Sequence, residues 1–256
     1  MNGLINLLFP PFDQADALLS PWLPAWLRLV LFGTLSAAVT MALYRRLSDQ
    51  AAIRQHKQRM KALQQKLRSA DDDLAAVLRL SRENIAVAFG LLGRVAGPAL
   101  LSSLPLVAVI GWLAVHWSHD SPIPGTPVAV EMRPDTNGVA LAPTELVVEH
   151  DGLVRLLWPE PPTALRLVAG PRTLWEGTAD TLATTAEVGR PAWWSVLIGN
   201  PAGYLPADGP LALVTFAVPR REVIPFGPSW IRGWEFLYFA TVVAVSLGLK
   251  AAFRIA

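Results

Sequence analysis

Three stretches of this chain are long enough, and poor enough in charge, to cross a hydrocarbon layer as helices, which needs about 20 residues for a core ~30 Å thick. They are residues 22–44, carrying only Arg28; residues 97–117, carrying no Asp, Glu, Lys or Arg; and residues 230–256, whose charges lie towards the two ends. Composition agrees, with 52% hydrophobic and only 16% charged residues and a mean hydropathy of +0.37. An ordinary soluble domain is excluded by that balance, and a three-span helical membrane protein is expected. With no cysteine, disulfides, thiolate chemistry and Cys-based zinc sites are excluded.

Charge fixes an orientation for the spans. Residues 45–94 carry eleven basic and five acidic side chains, a net +6. Short basic loops stay on the cytoplasmic side, so this loop is expected inside, with the N-terminus outside and the C-terminus cytoplasmic. Residues 118–229 carry seven arginines against twelve acids, a net −5, as suits a translocated domain. Trp22, Trp26, Trp112, Trp117, Trp230 and Trp234 fall at the three ends that the charge rule makes outer, where indoles favour headgroups. Arg28 is expected to snorkel there. The N-terminus has neither a basic leader nor an A-x-A site, so it is expected to stay uncleaved.

Between the spans the pattern is legible in part. Residues 1–21 read as an interfacial segment, with a short apolar helix over 3–9 stopped by Pro10 and Pro11. Residues 45–96 read as a cytoplasmic helical hairpin. Ile53, Met60 and Leu67 recur every seven residues, with Leu63 and Ala70 between them and His56 weakening the row, which predicts a short coiled-coil-like helix. Asp71, Asp72 and Asp73 break it and cap a second, amphipathic helix along Leu74, Val77, Leu78, Ile85, Phe89 and Leu92, expected to lie on the membrane surface. Gly97 and Pro98 then open the second span, which Pro105 should kink. Residues 118–229 change to short alternating runs: strands are predicted at 128–132, 145–149, 154–158, 165–169, 173–176, 182–188, 193–198 and 211–218. Turn dipeptides Asn137-Gly138, Asp151-Gly152 and Asp208-Gly209 separate some of them. The fold class is therefore a membrane α-helical protein, three transmembrane helices plus a cytoplasmic hairpin, with an inserted extracytoplasmic all-β, immunoglobulin-like sandwich.

Little here carries covalent chemistry. His116, His119 and Asp120 have ligand-like spacing but lack a further ligand, and Glu145, Glu149 and Asp151 read as a solvated strand face. There is no G-x-S-x-G, P-loop or dinucleotide fingerprint. Neither enzyme activity, cofactor nor metal is expected. The spans say more. Gly33, Ser36, Ala37 and Thr40 form a small, weakly polar stripe on the first; Ser102 and Ser103 lie in the second; Tyr238, Thr241 and Gly248 roughly align on the third. Such stripes serve either close helix packing or a shallow polar groove open to the cytoplasm. Arg54, Lys57, Arg59, Lys61, Lys66 and Arg68 form the hairpin's basic face.

The order of parts resembles the YidC/Oxa superfamily of membrane insertases, above all its three-span members, the archaeal YidC-like proteins and the third subunit of the ER membrane protein complex. The matching pieces are ALYRRLSDQ at the end of the first span, the hairpin RQHKQRMKALQQKLRSADDDLAAVL, the Leu-Pro entry LLSSLPLVAVIGWL, and WEFLYFATVVAVSLGLKAAFRI. They cover about residues 22–117 and 230–256. The intramembrane arginine of the bacterial members has no counterpart, Thr40 and Met41 standing there. The resemblance implies a bacterial inner-membrane factor for inserting, folding or assembling membrane proteins. Its groove would use Gly33, Ser36, Thr40, Ser102, Ser103, Tyr238 and Thr241, and its basic face would meet ribosomes or nascent chains. Membrane lipids are further expected partners, and no specific nucleic acid sequence is. The competing reading is a structural or assembly subunit whose β domain binds a periplasmic or membrane protein complex; an ion pathway formed by oligomers is a third.

Overall fold

A computed structural model describes residues 3–69, 74–134, 138–150 and 153–253. They belong to two compact units, one of Met1–Leu29 with Ala108–Leu237, the other of Val30–Val107 with Tyr238–Ala256. Three helices are long and apolar enough to cross a membrane, as the sequence predicts.

A turn of 3-10 helix, Ile5–Leu8, leads into α1, Phe9–Leu19. Pro10 and Pro11 therefore open a helix rather than stop one, contrary to expectation. The first-turn N–H groups of a helix have no intrahelical partner, so proline sacrifices nothing there, and its fixed φ suits the helix. Next comes α2, Ala25–Leu47, closed by Arg45 and Arg46, whose charges favour the negative end of the helix dipole. In α3, Gln50–Arg68, the Asp49 carboxylate caps the first turn by accepting the Ala52 N–H at 2.9 Å. Ile53 and Leu63 are buried and Met60 and Leu67 half-buried, so the seven-residue seam forms. His56 joins that row: a Cβ added at Gly90 would meet its Nε2 at 3.6 Å. Ala70 and the three aspartates lie outside the described residues.

The second hairpin arm and the second span are one helix, α4, Leu74–His116. It passes through Gly97, Pro98 and Pro105 without ending, over 43 residues. A separate surface helix stopping before Gly97 is thereby corrected. Proline is tolerable in membrane helices because hydroxyls and neighbours resatisfy the backbone. Between the two prolines, Ser102 Oγ donates to the Ala99 carbonyl at 3.0 Å and Ser103 Oγ to that of Leu100 at 2.8 Å. From Val95 to the helix end no residue is formally charged, which leaves 22 residues, about 33 Å, for a bilayer.

The β region has strands β1 Pro127–Arg133, β2 Val139–Ala142, β3 Val147–His150, β4 Leu153–Leu157, β5 Ala164–Ala169 and β6 Arg172–Thr178, then β7 Glu187–Gly189 and β8 Leu213–Phe216. They form a five-stranded sheet, β3-β4-β1-β8-β7, and a three-stranded one, β2-β5-β6. All pairs are antiparallel. Alternation builds the layers: Val128 and Val130 of β1 and Leu165 and Leu167 of β5 point into one shared core, while Glu131, Arg133 and Arg166 point out. Trp158 and Trp175 fill that core, the Trp175 indole donating to the Ala202 carbonyl at 2.5 Å. The sandwich reading holds, but the split and strand order are not the four-plus-three arrangement of immunoglobulin domains.

Two expected strands are helical. Residues 182–188 fall mostly in α5, Ala179–Thr185, started by a reciprocal capping box between Thr178 and Thr181. Residues 193–198 begin with a 3-10 turn, Trp193–Val196, where Ser195 Oγ accepts the Ala192 N–H at 3.0 Å. The unpredicted strand is β2. Of the turn dipeptides, Asn137 and Asp151-Gly152 lie outside the described residues; at Asp208-Gly209 the chain turns, the Gly209 N–H donating to the Pro206 carbonyl at 3.1 Å. Arg172 bonds Asp208 and holds its carboxyl below the usual carboxylate range. The last elements are a single turn, α6 Ser229–Arg232, and α7, Trp234–Ala252.

Leu167 is fully buried in the shared core, so Leu167→Ala should cost about 2–5 kcal/mol. Arg166→Ala, which removes only an exposed pair with Glu176, should cost less than about 1 kcal/mol. Urea unfolding of the full chain in detergent, followed by near-ultraviolet circular dichroism, should rank them in that order.

Candidate functional site

The small-residue stripe of α2 meets α7 closely. A Cβ at Gly33 would stand 3.1 Å from Thr241 Cβ and 3.3 Å from the Tyr238 carbonyl oxygen. One turn on, the Tyr238 hydroxyl donates to Ser36 Oγ at 3.0 Å, with both residues buried. Gly33, Ser36, Tyr238 and Thr241 thus come together as a closed seam, the packing alternative for this stripe. Thr40 continues it, and its Oγ1 is shut from solvent with no hydrogen-bond partner among the described residues. Ser102 is buried and Ser103 half-buried, each hydroxyl turned back on its own helix.

Beyond the seam, towards the hairpin, α2 and α7 enclose a cleft of about 610 Å³ lined by Ala38, Met41, Ala42, Arg45, Arg46, Leu249 and Phe253. Its lining is mainly apolar and includes two arginines. Arg45 lies 5.5 Å from the centre of the Phe253 ring. Neither arginine has a carboxylate partner among the described residues. The sequence reading missed this cleft, having used Arg45 and Arg46 for orientation and for the resemblance of the first span's end. The available signal was Leu249 and Phe253, one turn apart beside them at the end of the third span.

On α3 the basic face is as predicted for Arg54, Arg59, Lys61, Lys66 and Arg68, all exposed, with Lys57 half-buried. Arg59 pairs with Glu83 across the hairpin at 2.7 Å; the other five have no ion pair among the described residues. Their charge remains available to an anionic surface.

At the β-domain end, expectation and structure diverge. Arg28 does not snorkel: its side chain is largely buried, bonded to Asp16 Oδ1 at 2.6 Å and 4.9 Å from the Trp117 ring centre. Only Trp22, Trp26 and Trp230 of the six end-tryptophans are exposed; Trp112, Trp117 and Trp234 are buried in protein. The Trp112 indole donates to Asp13 at 2.7 Å and that of Trp234 to Ser118 Oγ at 3.2 Å. The histidines point to different places. His116 Nε2 sits 3.4 Å from Asp13, His119 Nδ1 lies 3.4 Å from the Thr184 carbonyl, and Asp120 binds Arg221 at 2.6 Å. No group of three or more potential metal ligands converges among the described residues.

Comparison with protein-family models, with curated proteins and with solved structures finds no match for this chain.

The seam makes a graded prediction. Gly33→Leu has no room without displacing α7 and should destabilise by about 1–3 kcal/mol. Tyr238→Phe removes one hydroxyl bond and should cost about 0.5–1.5 kcal/mol. Thermal unfolding in detergent checks the order, and two variants as stable as the parent would show that α2 and α7 do not touch.

Proposed function

We propose that this protein assists the insertion, folding or assembly of membrane proteins in a bacterial inner membrane. Its N-terminus and β domain face outside, and its hairpin faces the cytoplasm. The observation that carries the reading is the cleft between α2 and α7 at the hairpin end, mainly apolar in its lining but with two arginines in it. Moving a polar group unaided into an apolar layer costs roughly 2–7 kcal/mol. A cleft that offers Arg45 and Arg46 together with the apolar Met41, Leu249 and Phe253 divides that cost into smaller steps. The unpartnered Thr40 hydroxyl adds a hydrogen-bonding group to the same helix. Arg54, Lys57, Lys61, Lys66 and Arg68 would first hold ribosomal RNA or an emerging chain by charge, a contact that weakens with salt. The span order and basic hairpin that resemble the YidC/Oxa insertases support this role. No covalent step is involved.

The second reading, a membrane-anchored subunit acting through its β domain, draws support from that region's own core of residues from both sheets. Deleting the β domain separates the two: client handling persists under the first and is lost under the second.

A photo-crosslinking side chain at Met41 should capture a newly made membrane protein, whereas one at the exposed Leu35 should not. Charge reversal of Arg45 and Arg46 together should abolish the Met41 product. Equal capture at Met41 and Leu35 excludes the cleft as the client site.

A further inference from the structure

The β-domain end of the chain carries an apolar surface that the sandwich core does not use. Residues 3–12 and 191–199 contain no charged side chain, and the chain brings them together. The Leu4 and Ile5 N–H groups donate to the Val196 and Leu197 carbonyls, each at 2.9 Å. Asn6 and Gly199 exchange two further bonds, Nδ2 to the carbonyl at 2.9 Å and N–H to Oδ1 at 3.0 Å. These four bonds tie the two segments together, and what faces outward is Leu7 (68% exposed), Leu8, Trp193 (85%), Trp194 and Val196.

The position of this surface identifies what covers it. Ile5, Phe9 and Ile198 pack on Gly111 of α4, where an added Cβ would lie 3.4 Å from Ile5 Cγ2, 3.8 Å from Ile198 Cδ1 and 3.9 Å from Phe9 Cε1. Gly111 stands inside the uncharged stretch of α4, five residues before its end at His116, or about 8 Å along the helix. An interfacial segment buries its apolar face about 5–10 Å into the headgroup and acyl boundary. A charge-free pair of segments, tied together by hydrogen bonds and held at that depth with two exposed indoles, suits that layer.

We infer that residues 4–8 and 193–197 form one membrane-inserted wedge, seating the β domain in the leaflet at the His116 end of α4. The occupant of the surface is lipid, not a protein partner. The inference rests on α4 crossing the membrane and is independent of any role in insertion. It also explains why Ala-Trp-Trp-Ser-Val-Leu, strand-like by composition, is a 3-10 turn here: a turn with internal bonds can enter lipid, whereas an unpaired strand edge cannot.

Because the chain has no cysteine, single variants report cleanly. Trp193→Cys, Leu7→Cys, Leu104→Cys and Asp208→Cys, all at exposed positions, are labelled with an environment-sensitive fluorophore. The full chain is then placed in phosphatidylcholine/phosphatidylglycerol vesicles. Labels at 193 and 7 should match the one at 104, with blue-shifted emission, quenching by nitroxide on lipid chains and loss of iodide quenching; the label at 208 should show the reverse. Iodide quenching at 193 and 7 equal to that at 208 overturns the wedge. Shielding from both quenchers also overturns it, because protein then covers the surface. Iodide access at 104 removes the premise that α4 spans.

Discussion

A guanidinium placed one turn into an apolar helix must be neutralised locally, and Arg28 is the point on which one end of this protein is organised. Its charge is met by Asp16 of α1 at 2.6 Å and by the face of Trp117. Arg221, which follows β8, also lies over Trp117, 5.5 Å from its centre, and is bonded to Asp120. One residue of α2 thereby fixes α1, the segment leaving α4 and the chain returning from the β domain. Such an arrangement is weak evidence for net stability, since desolvation offsets much of the attraction. Its strength is as a constraint: removing one member leaves another charge buried, so alternative placements of α1 are penalised.

Why the sequence reading mistook Arg28 follows from the same physics. Composition and charge reveal that a segment is long, apolar and charged near an end, and those properties identified α2, α4 and α7. They do not say whether the charge meets water, headgroups or a carboxylate twelve residues earlier. The tryptophans divide in the same way. Trp22 and Trp26 are exposed as an interfacial indole should be, while Trp112 and Trp117 are buried beside Phe12, Asp13 and Arg28. Periodicity performs best where one neighbour dominates, as along Ile53, Met60, Leu63 and Leu67. It failed at residues 182–188, where the Thr178 and Thr181 cap outweighed β propensity. The helix end expected before Gly97 was a reading of Gly-Pro as punctuation, a rule that weakens when the helix lies in an apolar medium.

The unbroken α4 changes what the hairpin can be. A surface helix joined to a span by a flexible Gly-Pro would move separately from it. As one helix, the arm that carries Gly90 beside His56 of α3 is continuous with the uncharged stretch from Val95. Pro98 and Pro105 are the places where such a helix bends most readily, because each removes one i to i−4 bond.

The seam and the cleft also have a common cause. Glycine, serine and alanine at positions 33, 36 and 37 let α2 approach α7 until Tyr238 and Thr241 are in contact. Two turns later both helices carry bulk, Met41 and Arg45 on one side and Leu249 and Phe253 on the other. Helices that touch at small residues and bear large ones beyond the contact diverge there. The cleft is therefore set by residue size along a single helix pair, and the stripe that the sequence left open between packing and groove is the packed pivot beside it.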